Sequence, residues 1–330
     1  MERREIVRRA IEFDRPPRLP FFQHEVDFVP DDVCDTWEMD RARRGWFFDC
    51  AAEDDWGCGW RATDQPNMGQ VAHHPLADWS ALAGYRPPNP RDPFYFERLE
   101  ADLSQAGDRY VVVTSHFNLI ERLHMLHGFA RTLEDFYLEP RRVEQVLDMI
   151  LEFKIEQLRE LDRRFRDRVH GIFITDDWGT QQGTYVGPKI FEDFFLSRYR
   201  QLTDCIHDLC WHCILHSCGR INDFVPYFSQ AGVDVLNMQQ PQAYGIQELG
   251  QRFAGRVCFL TTADIQVTLP SGDAERIRAE VRELVRSWAT PEGGFIVYNY
   301  GKPDSLGVKP EMTEVMFRTF AEFLPPDWRR

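Results

Sequence analysis

The chain has 330 residues, 43% hydrophobic and 28% charged, and a formal net charge of −14. That much apolar material fills a core, and the surplus negative charge repels a polyphosphate backbone, so no nucleic-acid partner is expected. Its longest apolar runs, such as YVVV (110–113) and GIFI (171–174), are far too short to cross a bilayer, so no membrane association is expected either.

In chain order, MERREIVRRAIEF (1–13) is charged and amphipathic. It lacks the apolar stretch of a signal peptide and carries Glu2, Glu5 and Glu12, so it reads as a first helix of a cytoplasmic protein. RLPFFQHE (18–25) reads as a first strand. Residues 26–108 are rich in Pro, Asp and Trp, and read as an irregular extension over the mouth of a barrel, with DDWGCGWR (54–61) as an excursion.

From residue 109 the chain alternates. YVVVTSH (110–116), HGIFIT (170–175), WHCILH (211–216), VDVLNM (233–238), RVCFLTT (256–262) and GGFIVYNY (293–300) read as strands. Helices are predicted between them. One starts at Leu119, a long amphipathic one opens at Pro140, one covers 189–210, one ends at Gly232, and others follow to the C-terminal end. Strand–helix repeats of this kind imply a parallel sheet, and no G-x-G-x-x-G follows any strand. The expected fold is therefore α/β, a TIM-like (β/α)8 barrel. It forms a single domain over 1–330, with an N-terminal helix, first strand and lid-like extension in 1–108 and regular repeats in 109–330. The eight cysteines form no regular disulfide framework and read as reduced thiols.

In such a barrel the chemistry lies where strands end. The strand ends here carry Gln23, His24 and Glu25; Asp176, Asp177 and Trp178; His216 and Cys218; Asn237 and Gln239; Thr262 and Asp264; and Asn299 and Tyr300. LHSCGR (215–220) is the most informative. Side chains two apart on a strand share a face, so His216 and Cys218 both point to the mouth while Ile214 lies below them in the core. An imidazole and a thiolate together make two legs of a zinc site. The remaining ligands are expected from Asp177, Glu25, Asp264, His24 or water, and spacing does not choose among them.

HSCGRINDFVPYFSQAGVDVLN (216–237), with DDWGTQQG (176–183) before it and TADIQ (262–266) after it, resembles the uroporphyrinogen decarboxylase superfamily over most of the chain. The resemblance implies a TIM-like barrel, often a homodimer, with either of two activities. One is metal-free decarboxylation of porphyrinogen acetates. The other is zinc-dependent methyl transfer between a methylcorrinoid protein and a thiol such as coenzyme M, and that branch carries an H-x-C motif. His216 and Cys218 match the motif. The paired arginines of true decarboxylases are not matched in PFFQHEVDF (20–28), although Asp49 or Asp55 imitates their catalytic Asp. The methyltransferase branch's late Cys is also unmatched, because YNYG (298–301) stands there and Cys258 opens its strand.

The expectation is zinc-dependent methyl transfer to a thiol or similar small-molecule acceptor, with the corrinoid on a separate protein. His216, Cys218 and Asp177 or Glu25 hold the metal, and Asp176 orients His216. Asn237, Gln239 and Tyr300 line the pocket, Trp178 walls it with Trp56 and Trp60, and His24 and Asp264 are further cofactor-binding candidates. The alternatives are a metal-free lyase using Asp177 or Asp55, and a non-catalytic barrel that binds a small molecule or a corrinoid protein.

Overall fold

The structure, a computed structural model, describes residues 1–22, 24, 26–36, 52–63 and 69–327. Glu25, Gln23 and Asp49 lie outside the described residues.

Seven parallel strands curl into the wall of a barrel: β1 (Val33–Asp35), β5 (Tyr110–Ser115), β6 (Gly171–Thr175), β7 (His212–His216), β8 (Val235–Met238), β9 (Cys258–Thr261) and β10 (Phe295–Val297), neighbours in that order. The eighth place is taken by a single bridge. Phe21 pairs in parallel with Val297, and its carbonyl accepts from Asp32 N–H beside β1 (3.1 Å). Among the described residues of 18–25, one, Phe21, pairs with a neighbouring strand, and backbone bonds on each side of it span the gap.

Alternation along the strands sorts the core into two shells. Val112, Phe173, Ile214, Val235, Leu260 and Ile296 fill the barrel interior with Tyr110 and Cys258. Val111, Val113, Ile172, Ile174, Cys213, Leu215 and Leu236 pack outward against the helices. The long helix Pro140–Phe165 starts at its proline, as its sequence predicts, and buries Val143, Leu147, Ile150, Leu151, Leu158 and Leu161. The helix predicted over 189–210 is interrupted: a π-helical stretch, Phe191–Leu196, separates Pro188–Ile190 from Ser197–Asp208 and turns Phe191 and Phe195 into an aromatic cluster with Trp178 and Phe224.

The extension carries a small antiparallel sheet, β2 (Ala52–Glu53), β3 (Gly59–Arg61) and β4 (Gln70–His73). Asp54 anchors it, accepting from Trp56 N–H, Cys58 N–H, the Trp60 indole and the Arg122 guanidinium at 2.8–3.1 Å. Trp56 and Trp60 are buried there against Phe153 and Phe117, so they are core anchors, not the pocket walls expected of them. Among the described residues no helix is long and apolar enough to cross a membrane. A cavity of about 620 Å³ opens at the N-terminal end of the strands, lined by Tyr110, His170, His212 and Asp234, away from the strand ends.

Candidate metal centre

The register of the sheet places His216 level with Asn237 on the neighbouring strand, and both continue the interior-facing rows of Ile214 and Val235. Asn237 is fully buried, and its amide N–H donates to Leu260 O (3.0 Å). That orients the carboxamide, so its Oδ1 faces His216 Nδ1 at 2.8 Å and accepts from it. Gln239 donates to the same oxygen (2.8 Å). In its neutral form His216 then carries its proton on Nδ1 and leaves its lone pair on Nε2, which is the tautomer a metal-ligating imidazole needs.

Two further donors converge on that lone pair. Cys218 Sγ lies 3.3 Å from His216 Nε2, and Asp177 Oδ1 lies 3.7 Å from it. All three ligand atoms fall within 4.8 Å of one another. A tetrahedral zinc with N, O and S ligands at about 2.0–2.3 Å separates its ligand atoms by roughly 3.3–3.7 Å, and the two separations from His216 Nε2 fall in that range. Asp177 Oδ1 also accepts from Cys218 N–H (2.7 Å), which ties the two ligand loops together.

Those loops meet backbone to backbone. Gly219 has φ +78°, and a Cβ there would stand 2.2 Å from the Gly179 carbonyl. A Cβ at Gly179 would meet Gly219 C and Arg220 N at 3.0 Å. Arg220 N–H completes the contact by donating to Thr180 O (2.7 Å). Only glycines allow the DDWG and SCGR loops this approach.

Burial and neighbouring carboxylates disfavour a free thiolate at this site. Burial pushes the Cys218 thiol well above its ordinary pKa, and the negative charges of Asp177 and Glu121 push it further. Glu121, buried and accepting from Thr175 Oγ1 (2.9 Å), is likewise held well above the carboxylate range by burial and by Asp177 and Asp176. A divalent ion among these groups would reverse that tendency and hold Cys218 as thiolate.

Asp176 does not reach the His216 ring. Its carboxylate accepts from Ile120 N–H (3.2 Å), Glu121 N–H (2.9 Å) and Tyr199 O–H (2.5 Å), pinning the start of the helix Leu119–His127. The residue that orients His216 is Asn237. Trp178 is fully buried and donates its indole N–H to Tyr199 (3.0 Å), which makes it core. Asp264 is taken up by the amides of Gln242, Gln266 and Val267 at 2.8–3.1 Å. The His24 ring is held by Pro30 O (2.7 Å) and Val26 N–H (3.0 Å). Gln239 borders the centre through Asn237. Tyr300 is half-buried within the electrostatic influence of Cys218. Asp55 accepts from Tyr95 O–H (3.0 Å). Glu121 was not singled out from the sequence. The signal available was a carboxylate inside the apolar run LIERLHML (119–126).

Three comparisons bear on this geometry. No curated protein matches the chain significantly. Among solved structures, a methyltransferase from Methanosarcina mazei superposes with a TM-score of 0.70 at 15% identity, covering 98% of this chain and 99% of that one. Two sugar epimerases match less well. They are a 3-keto-D-glucoside 4-epimerase from E. coli (TM-score 0.41, 13% identity, 71% and 85% of the two chains) and a D-psicose 3-epimerase from Clostridium cellulolyticum H10 (0.40, 11%, 70% and 84%). The model of the uroporphyrinogen decarboxylase (URO-D) family matches residues 57–323, a span that runs from the anchored extension through both ligand loops to the last helix. The chain belongs to the uroporphyrinogen decarboxylase family.

Proposed function

We propose that the chain is a zinc-dependent methyltransferase that moves a methyl group between a corrinoid carried on a separate protein and a thiol or similar small acceptor. The observation that carries this reading is the convergence of the Asp177, His216 and Cys218 ligand atoms within 4.8 Å of one another, with Asn237 accepting from His216 Nδ1. Similarity of fold to a methyltransferase supports the choice of reaction class. Bound zinc would act as a Lewis acid that lowers the pKa of the accepting thiol and so keeps it nucleophilic at neutral pH.

The chain's own residues supply the rest. Among the described residues, His216 Nε2, Cys218 Sγ and Asp177 Oδ1 would hold the ion, and the accepting thiol would bind beside them. Asn237 and Gln239 hold the imidazole against rotation. Burial favours the neutral form of Glu121, which would lessen the negative charge beside the incoming anion. Tyr300 borders the same space from the last strand end.

The test is elemental analysis of protein purified without a metal-affinity tag. About one zinc per chain is expected, lost in His216→Ala and Cys218→Ser, together with zinc-dependent demethylation of methylcobalamin by a thiol. Absence of metal in the wild type, with lyase activity that survives chelator, would replace this reading with the metal-free decarboxylase.

A further inference from the structure

The strand β7 runs from His212, at the cavity on the barrel floor, to His216 at the mouth. Tyr110, which opens β5, sets the ring of His212. Its phenol oxygen lies 2.7 Å from His170 O and 2.7 Å from His212 Nδ1. A carbonyl only accepts, so the one phenol proton goes to His170 O, and the second contact is a hydrogen bond when His212 Nδ1 donates. The lone pair of the neutral ring is then on Nε2, which faces Glu12 Oε1 at 3.4 Å. Glu12 caps the C-terminal end of the first helix, Arg3–Ile11, and its other oxygen accepts from Arg8.

Two acceptors thus face each other, and the width of the gap selects what would join them. A proton shared between imidazolium and carboxylate draws the two atoms to about 2.7–2.9 Å. An ammonium that donates to both, at about 2.8 Å each and a tetrahedral angle, holds them roughly 4.6 Å apart. A tetrahedral zinc with N and O ligands at about 2.0–2.1 Å holds them roughly 3.3–3.4 Å apart, and the observed 3.4 Å agrees with that. Burial, the largest influence on His212, lowers its pKa and keeps the lone pair available, although Asp234 and Glu12 pull the other way. The lining also favours a cation: Glu2, Glu5, Glu12 and Asp234 stand against Arg4 and Arg8. Among the described residues no third His, Cys, Asp or Glu joins the pair at ligand spacing. The cavity, about 620 Å³, has room for water to complete the shell.

We propose that His212 Nε2 and Glu12 Oε1 form a second divalent-metal site, which takes zinc or another ion suited to imidazole and carboxylate and fastens the end of the first helix to the start of β7. This site stands apart from the mouth centre and does not depend on it.

The test uses the full-length protein, stripped with EDTA and dialysed against zinc at graded concentrations, with the bound metal counted per chain. Whatever the mouth holds, Glu12→Gln and His212→Ala should each hold one zinc fewer than the wild type at the concentration that saturates the wild type, the floor ion being bound at least about tenfold more weakly. Glu12 is partly exposed and Gln keeps its size, so this variant removes the ligand charge without disturbing the core. Glu2→Gln, in the same cavity, should keep the full complement. Zinc should raise the melting temperature of Glu12→Gln less than that of the wild type, because one ion no longer stabilises the folded chain by mass action. Equal zinc counts in the wild type and Glu12→Gln, or the same loss in Glu2→Gln as in Glu12→Gln, would overturn the proposal and leave the mouth centre untouched.

Discussion

Replacing Asn237 with alanine isolates the part of the centre that touches no metal. The side chain satisfies three groups at once: Leu260 O at 3.0 Å, His216 Nδ1 at 2.8 Å and Gln239 Nε2 at 2.8 Å. Removing it frees the imidazole to rotate and to exchange tautomers, which typically lowers metal affinity by about 10- to 100-fold, or roughly 1.4–2.8 kcal/mol. It also strips buried polar groups of their partner, at about 1–3 kcal/mol for each left unsatisfied. The metal-free protein is therefore expected to lose about 2–4 kcal/mol. Zinc affinity is read by competition with a chromophoric chelator, and stability by urea unfolding in excess EDTA. Asn237→Asp is the companion variant. It keeps an acceptor for His216 Nδ1–H, so zinc affinity should recover, but it turns a carboxylate oxygen towards Leu260 O, so the stability loss should remain. An alanine variant that folds and binds zinc within about twofold of wild type would refute the claim that Asn237 prepares His216.

Asp176→Ala should cost at least about 3 kcal/mol in urea unfolding, because two helix amides and the Tyr199 hydroxyl lose their acceptor; zinc content per folded chain should not change, and a loss of zinc would return Asp176 to the centre. Gly219→Ala forces a Cβ to within 2.2 Å of the Gly179 carbonyl at φ +78°, so the loops must part; we expect loss of zinc binding with a stability cost of about 3 kcal/mol or more, measured by metal analysis and thermal unfolding. His170 accepts from Val111 N–H (2.9 Å), and burial lowers its pKa to about 4. The unfolded chain, with an ordinary value near 6.5, then binds the extra proton first, so this contribution is full above about pH 6.5 and is lost as the pH falls towards 4, by about 2–3 kcal/mol. His170→Asn, which keeps an acceptor and cannot titrate, should flatten the stability difference between pH 7 and pH 4.5 by that amount in urea unfolding.

Much of this arrangement can be read from the chain. Period-two alternation in WHCILH puts Ile214 inside and Cys213 and Leu215 outside, as observed, and the same parity carries His216 to the mouth. The Pro140 helix and the parallel order of strands follow from apolar spacing alone. What fails are features that alternation does not reach. Asp176 and Asp177 are adjacent at a strand end, where the chain leaves the pleat, and only tertiary contacts decide that the first caps a helix and the second faces Cys218. Trp178 and Asp264 sit on polar strand ends, yet Trp178 is claimed by the aromatic cluster and Asp264 by backbone amides. Among the described residues the first strand is represented by Phe21, because ring closure requires hydrogen bonds, not length.

The contact between Gly179 and Gly219 has a consequence for how the proposed zinc would be gained and lost. Loops riveted together through their main chains hold their side chains in register whether or not anything sits between them. The entropy of gathering an oxygen and a sulfur is then settled when the barrel folds, so the proposed zinc would enter a prepared socket, and refilling it would require little reorganisation.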